Sequence, residues 1–214
     1  MTKADGRGPS EDTRRRLFEV ARELFTDQGF DNVTVRDISR RAGANLAAIN
    51  YHFGDKLALY LEIVRNAVAE MRTTNDEMMA GSELPAAERL RRYIRGYVPR
   101  LMLIDQRRAW IQKLMRNEMS EPTPAAQLII DEILRPRVAY LTGIVAELLG
   151  CPPDDPRVAR SVSAIQMQCF ACIPHPAWER VTPSVPRTPE SAAAMAEHII
   201  AFSLAGIEAV KGSG

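Results

Sequence analysis

Aromatic residues are scarce in this 214-residue chain, only 6% of it. Its apolar content, 46%, comes mainly from Ala, Leu, Ile, Val and Met. No stretch alternates Val, Ile, Thr and Tyr between turn pairs, so strands are not expected. Three cysteines, an odd number, do not make a disulfide framework. No apolar run is expected to reach the roughly 18–20 residues that span a bilayer, and the first residues are polar and charged, unlike a secretion signal. A cytoplasmic, all-α protein with no membrane partner is expected. Enzyme motifs are also missing: there is no G-x-S-x-G, P-loop or H-E-x-x-H, and His52, His175 and His198 lack convincing acid–base partners. No catalytic residue, metal or cofactor is expected.

Net charge is +1, and residues 1–65 carry eleven Lys/Arg against ten Asp/Glu. Overall balance therefore gives no electrostatic pull on nucleic acid, and any DNA binding must come from local arrangement.

Local signals divide the rest into about nine helices. Residues 1–10 read as a flexible arm containing Lys3 and Arg7. Leu17, Val20, Ala21, Leu24 and Phe25 form one apolar stripe on a helix from Asp12 to Gln28, closed by Gly29. Thr34 caps a second helix, with Asp37 three residues on as in a capping box, and Gly43 stops it. Asn45 caps a short third helix whose buried face is Leu46, Ile49 and Phe53. Asp55 caps a long fourth helix to about Met79, with Leu57, Tyr60, Leu61, Val64, Val68 and Met71 as its stripe. Further helices are expected from Pro85 to a bend or end near Pro99, over Arg107–Met119, and from Pro124 to Gly150 with a break before Pro136. The last two run from Pro156 to about Ile173 and from Thr188–Pro189 to about Val210.

Two short helices joined by a glycine turn form a helix-turn-helix, whose second helix enters the DNA major groove. The run "TVRDISRRAGANLAAINYHFGDKLALY" resembles the DNA-binding signature of TetR-family transcriptional regulators, over roughly residues 12–65. That resemblance implies an all-α homodimer with an N-terminal DNA-binding domain and a C-terminal ligand-binding and dimerisation domain. The expected organisation is an arm (1–10), a DNA-binding domain (11–56), a connecting helix (57–80) and a C-terminal domain (81–211).

In that setting Asn50 offers a donor–acceptor pair suited to adenine, and the methyls of Ala47 and Ala48 suit thymine. Asn45 and Leu46 lie in the same DNA-facing segment, and Asn45 is also a plain cap. Tyr51, His52, Lys56 and Arg36 are phosphate candidates, with the arm and Arg14–Arg16 adding salt-dependent affinity. His52 is alternatively a packing residue, and Arg40 and Arg41 are alternatively solvated charges. Asn50 stands where Tyr is usual in the family and Tyr51 where a basic or variable residue often lies, so base preference does not transfer from other members.

"LMRNEMSEPTPAAQLIIDEILRPRVAYL" and "SVSAIQMQCFAC" resemble the CecR-like branch of the same family, whose members are linked to drug or xenobiotic response. The resemblance implies a four-helix dimer interface from the last two helices, offering Val158, Val162, Ile165, Cys169 and Phe170, then Ala192, Ala193, Met195, Ala196, Ile199, Ile200 and Ser203. Effector-pocket candidates are the apolar Tyr97, Met102, Trp110, Leu114, Met115, Ile129, Ile133, Met167 and Phe170, with Arg116, Glu118 and Gln166 as polar contacts. Ordinary core packing is the competing reading for each. Arg89–Arg116 holds nine Lys/Arg and one acid, Asp105, which suits either an anionic ligand or a solvated face. Cys169, Cys172 and His175 have C-x-x-C-x-x-H spacing, but no fourth zinc ligand is evident and the cysteines read better as small buried apolar residues.

The expected function is a ligand-responsive regulator, a repressor that leaves a near-palindromic double-stranded DNA operator when a small-molecule effector binds. The alternatives are an activator or a redox-responsive regulator of the same fold. An enzyme, or an adaptor that has lost operator binding, are the readings from other classes.

Overall fold

The computed structural model describes residues 9–103, 108–174, 180–181 and 185–212. Among these residues there are helices and turns and no strand. The chain forms two compact units, Met1–Met71 with Arg107–Glu132, and Arg72–Gln106 with Ile133–Gly214.

The first unit contains α1 (Pro9–Gln28), α2 (Val35–Ala42), α3 (Leu46–Phe53), the first part of α4 (Lys56–Met79), α6 (Ala109–Ser120) and α7 (Ala126–Ile129). Most of the expected α1 stripe is core: Leu17, Ala21 and Phe25 are fully buried, Leu24 nearly so, and Val20 is half-buried. Gly29, at φ 80°, donates its N–H to the Phe25 carbonyl at 2.9 Å and ends the helix. The Phe25 and Tyr60 rings meet edge-on with centroids 5.0 Å apart, joining α1 to α4.

The fourth helix has the expected ends but a different inner face. Asp55 Oδ1 accepts the Ala58 N–H at 2.7 Å, as a cap should. Leu59, Tyr60, Ile63, Val64, Ala67 and Val68 are buried, whereas Leu57, Leu61 and Met71 are only half-buried. The buried positions recur as adjacent pairs every four residues, a wider apolar face than a single row.

The second unit contains α5 (Ala86–Met102), α8 (Arg135–Leu149), α9 (Pro156–Phe170) and α10 (Pro189–Lys211), with the end of α4. One apolar core runs through α5, α8, α9 and α10. Helix α5 passes through Pro99 and ends at Met102, three residues later than the proline. Between α7 and α8 the chain takes a π-helical turn, Ile130–Leu134, so the expected break before Pro136 is a local widening. Asp155 and Thr188 cap α9 and α10 through the N–H groups of Arg157 and Ser191.

Helix α10 corrects one expectation. Pro189–Lys211 is long and apolar enough, by length and composition, to cross a membrane. Its alanines hide the run from a search for bulky residues. Here Ala192, Ala196, Ile199, Ile200 and Ile207 are buried, and the helix packs on α5, α8 and α9.

Candidate nucleic-acid interface and effector site

The geometry of α2 and α3 comes from capping. Thr34 Oγ1 accepts the Asp37 N–H at 3.2 Å, and Asp37 Oδ2 accepts the Thr34 N–H at 3.2 Å. These Thr34 hydrogen bonds, with help from Arg40, hold the Asp37 carboxyl below its ordinary range. Gly43 then turns the chain at φ 61°, ψ 36°, left-handed backbone that a side chain rarely adopts. The Ala44 N–H reaches the Ser39 carbonyl at 3.0 Å and closes α2. Asn45 opens α3 through Oδ1, which accepts the Ala47 N–H at 3.1 Å.

Helix α3 is eight residues long and anchored by buried Ile49. Phe53 is half-buried, with the Arg14 guanidinium carbon 4.8 Å from its ring centroid. Leu46, expected on the buried face, is instead 44% exposed. It is the first helical residue, one turn before Ile49, and it faces solvent with Ala47. Leu46, Ala47, Asn50 and Tyr51 are all exposed, and their i, i+1, i+4, i+5 spacing makes them one outward strip. Tyr51 is 80% exposed. Asn50 makes no side-chain hydrogen bond to the described residues and so keeps its donor and acceptor. Ala48 and His52 are half-buried at the strip's margin, with the His52 ring edge-on to Tyr51 at 4.9 Å.

The cations differ in how far they are committed. Arg36 is exposed at the start of α2 and pairs with no acid among the described residues. Lys56 Nζ lies 4.2 Å from the Phe30 ring centroid. Arg40 pairs with Asp37 and Arg41 with Glu23, so both are exposed, paired surface charges. Arg14 Nη2 donates to both carboxylate oxygens of Glu62, at 2.7 and 2.8 Å, and Arg15 pairs with Asp12. Lys3 and Arg7 lie outside the described residues.

The effector candidates fall into both units. In the first, Leu114 and Ile129 are buried, Trp110 and Met115 are half-buried and Arg116 is exposed. The Arg22 guanidinium lies 5.2 Å from the Trp110 ring. Glu118 is buried with its carboxylate engaged: Oε1 accepts from the Tyr60 hydroxyl at 2.5 Å, and Oε2 from the Thr123 N–H at 3.2 Å. In the second unit, Tyr97, Met102 and Ile133 are buried, Gln166 and Phe170 are half-buried, and Met167 is 60% exposed. Tyr97 and Phe170 do meet, edge to face at 6.3 Å.

The cations between Arg89 and Arg116 are largely paired at the surface, Arg95 with Glu197, Arg100 with Glu77, Arg89 with Glu147 and Lys113 with Asp27. Among the described residues they form no free basic cluster; Asp105 and Arg107 lie outside them. The core positions offered for dimerisation, Val158, Val162, Ile165, Cys169, Ala192, Ala196, Ile199, Ile200 and Ser203, are buried inside the second unit itself. Burial pushes the Cys169 thiol up to about 12 and also raises Cys172, which opposes thiolate chemistry. His175 lies outside the described residues.

Sequence reasoning missed Arg137, buried in α8, where it donates to Tyr97 and Asn75. The available signal was an arginine facing the apolar side of "LRPRVAYL".

The model described as the HTH-type transcriptional dual regulator CecR, C-terminal domain, matches residues 86–207. That for bacterial regulatory proteins, tetR family, matches residues 17–63. The chain belongs to the TetR family, with a CecR-like C-terminal domain. TetR-family proteins are DNA-binding transcriptional regulators that act as dimers, typically repressors. The chain is 26% identical over 163 residues to the HTH-type transcriptional dual regulator CecR of Shigella flexneri, covering 72% of this chain and 73% of that one. It is 36% identical over 77 residues to the HTH-type transcriptional repressor AcnR of Corynebacterium efficiens, 36% of this chain and 40% of the repressor. The TetR-family regulator PfmR of Thermus thermophilus shares the fold, with a TM-score of 0.59 at 21% identity over 87% of this chain and 97% of that one.

Proposed function

We propose that this TetR-family regulator is a cytoplasmic, ligand-responsive repressor whose homodimer binds a near-palindromic operator and leaves it when a small molecule occupies the C-terminal domain. The observation that carries this reading is the outward strip of α3, Leu46, Ala47, Asn50 and Tyr51, on a short helix capped by Asn45 and preceded by an α2 capped by Thr34. Asn50 reads a base edge through its amide, and Ala47 and Ala48 allow close approach. Arg36, Tyr51, His52 and Lys56 set register on phosphates, and Asn45 acts through its cap. Residues 1–10 serve as an arm, 11–56 as the DNA-binding domain, 57–80 as the connecting helix and 81–211 as the effector and dimer domain.

Dimerisation uses the outer faces of α9 and α10. Met167 is 60% and Phe202 63% exposed, beside exposed Ala164, Ala201 and Ala205. Small residues there let helices approach closely, and large exposed apolar side chains favour burial against a second copy. Two recognition helices then meet successive major grooves roughly one helical turn apart or somewhat more. Helix α4 carries residues of both units and is the element through which an effector shifts the recognition helices. The shift requires that the effector favour one state over the other.

Selection from random duplex DNA with the full chain tests this reading. The expected product is a two-half-site palindrome bound by one dimer with strong salt dependence. Failure to enrich any sequence contradicts it. A site whose occupancy raises transcription selects the activator alternative.

A further inference from the structure

Among the described residues Arg137 is a buried cation without a paired anion. It is 6% exposed, within the second unit. Its Nη1 donates to the Tyr97 hydroxyl at 2.6 Å and its Nη2 to Asn75 Oδ1 at 2.8 Å. The guanidinium carbon stands 4.4 Å from the Tyr97 ring centroid. Among the described residues its Nε has no hydrogen-bond partner and no carboxylate pairs with it. A guanidinium keeps its charge in proteins, so it cannot escape burial by losing a proton. Buried charges are ordinarily paired. The contrast within this unit is sharp: exposed Arg95 and half-buried Arg100 each hold a glutamate, and buried Arg137 holds none among the described residues.

The Tyr93 hydroxyl, a second unsatisfied group, lies within reach of the Arg137 charge, and the Tyr140 hydroxyl, within reach of Arg89 and Arg92, is a third. The Tyr93 ring lies 5.6 Å from Tyr97 and 6.2 Å from Tyr140, and the hydroxyls of Tyr93 and Tyr140 are buried without partners among the described residues. Burial raises both phenols above their ordinary pKa, so they remain protonated donors. The cluster therefore has spare donors and a spare positive charge, while its aromatic surroundings, extended by Phe170 against Tyr97, are apolar. A group that accepts several hydrogen bonds, bears negative charge and carries an apolar body satisfies all of these at once.

We propose that the C-terminal domain binds a small organic carboxylate, with Arg137 taking the carboxylate, Tyr93 donating a second bond and the tyrosine and Phe170 rings packing its apolar body. This rests on the effector half of the proposed function and specifies its chemistry.

Calorimetric titration of the full chain with benzoate, benzamide and inorganic phosphate tests it. Benzoate is expected to bind saturably, at least tenfold tighter than its neutral isostere benzamide and than phosphate. Arg137→Gln is expected to weaken benzoate at least tenfold, and Tyr93→Phe severalfold. Absence of saturable benzoate binding, equal binding of benzamide or phosphate, or wild-type affinity in Arg137→Gln overturns the proposal. If Arg137→Gln does not fold, Tyr93→Phe decides, and unchanged benzoate affinity in it overturns the proposal. Operator binding by the wild type is measured beside it. DNA binding without benzoate binding removes the carboxylate site alone. Benzoate binding through Arg137 without DNA binding removes the regulator reading alone.

Discussion

Asn45 Oδ1 accepts the Ala47 N–H at 3.1 Å, so the first polar side chain of the recognition segment closes the helix end. Asn45→Ala is expected to cost about 1 kcal/mol of stability, as lost N-caps do. Asn45→Ser should recover most of it. Urea unfolding measures both, and a stability unchanged in Asn45→Ala contradicts the capping role.

Arg36 stands exposed at the start of α2 with no acid paired to it among the described residues. Arg36→Ala is expected to weaken all DNA sequences nearly alike. It should also lower the log–log salt slope by about one for each phosphate the arginine neutralises. Binding isotherms over a salt series check this. A loss confined to one base position instead makes Arg36 a base reader.

Inside the first unit, the Tyr60 hydroxyl and Thr123 are the donors to buried Glu118. Tyr60→Phe leaves a buried carboxylate short of a donor and is expected to destabilise by about 1–3 kcal/mol. Thr123→Val should act similarly, and the double variant should deviate from additivity because both groups serve one carboxylate. Denaturant midpoints of the cycle give the coupling directly.

Acid stability has a local contribution from Asp155. Hydrogen bonds from the Arg157 side chain and backbone, and the Arg157 charge, hold its carboxyl at about 2, against an ordinary 3.8. A pKa depressed by folding stabilises above the unfolded value and is lost as pH falls through the folded one. Asp155→Asn is therefore expected to be less stable than wild type at neutral pH, with the difference closing between about pH 4 and pH 2. Thermal midpoints of both proteins across that range check it, and a constant gap contradicts it.

The parts legible in the sequence are those governed by near neighbours. Thr34 with Asp37, Asn45, Asp55 and Thr188 cap helices as their local pattern implies, and Gly29, Gly43 and Gly150 take the left-handed backbone that ends them. Leu46 departs from its pattern because hydrophobicity alone puts a leucine inside, while its position in the first turn of α3 leaves it outside. On α4, Leu59 and Ile63 take the inner face in place of Leu57 and Leu61, because packing partners from distant segments decide which side of an apolar helix is covered. Arg137 is illegible for the same reason: its partners Asn75 and Tyr97 lie 62 and 40 residues away. The outward strip on α3 is recoverable in its polar members, Asn50 and Tyr51, since a short helix anchored by Ile49 has one face left over.

Affinity of wild type and Asn50→Ala for the selected operator and its single-base variants tests the central claim most directly. If Asn50 reads a base, the substitution costs about 1–3 kcal/mol on the preferred site and flattens discrimination at one symmetric pair of positions. Unchanged discrimination at every position, with operator binding intact, would contradict the assignment of the α3 strip as the surface that reads the sequence through Asn50.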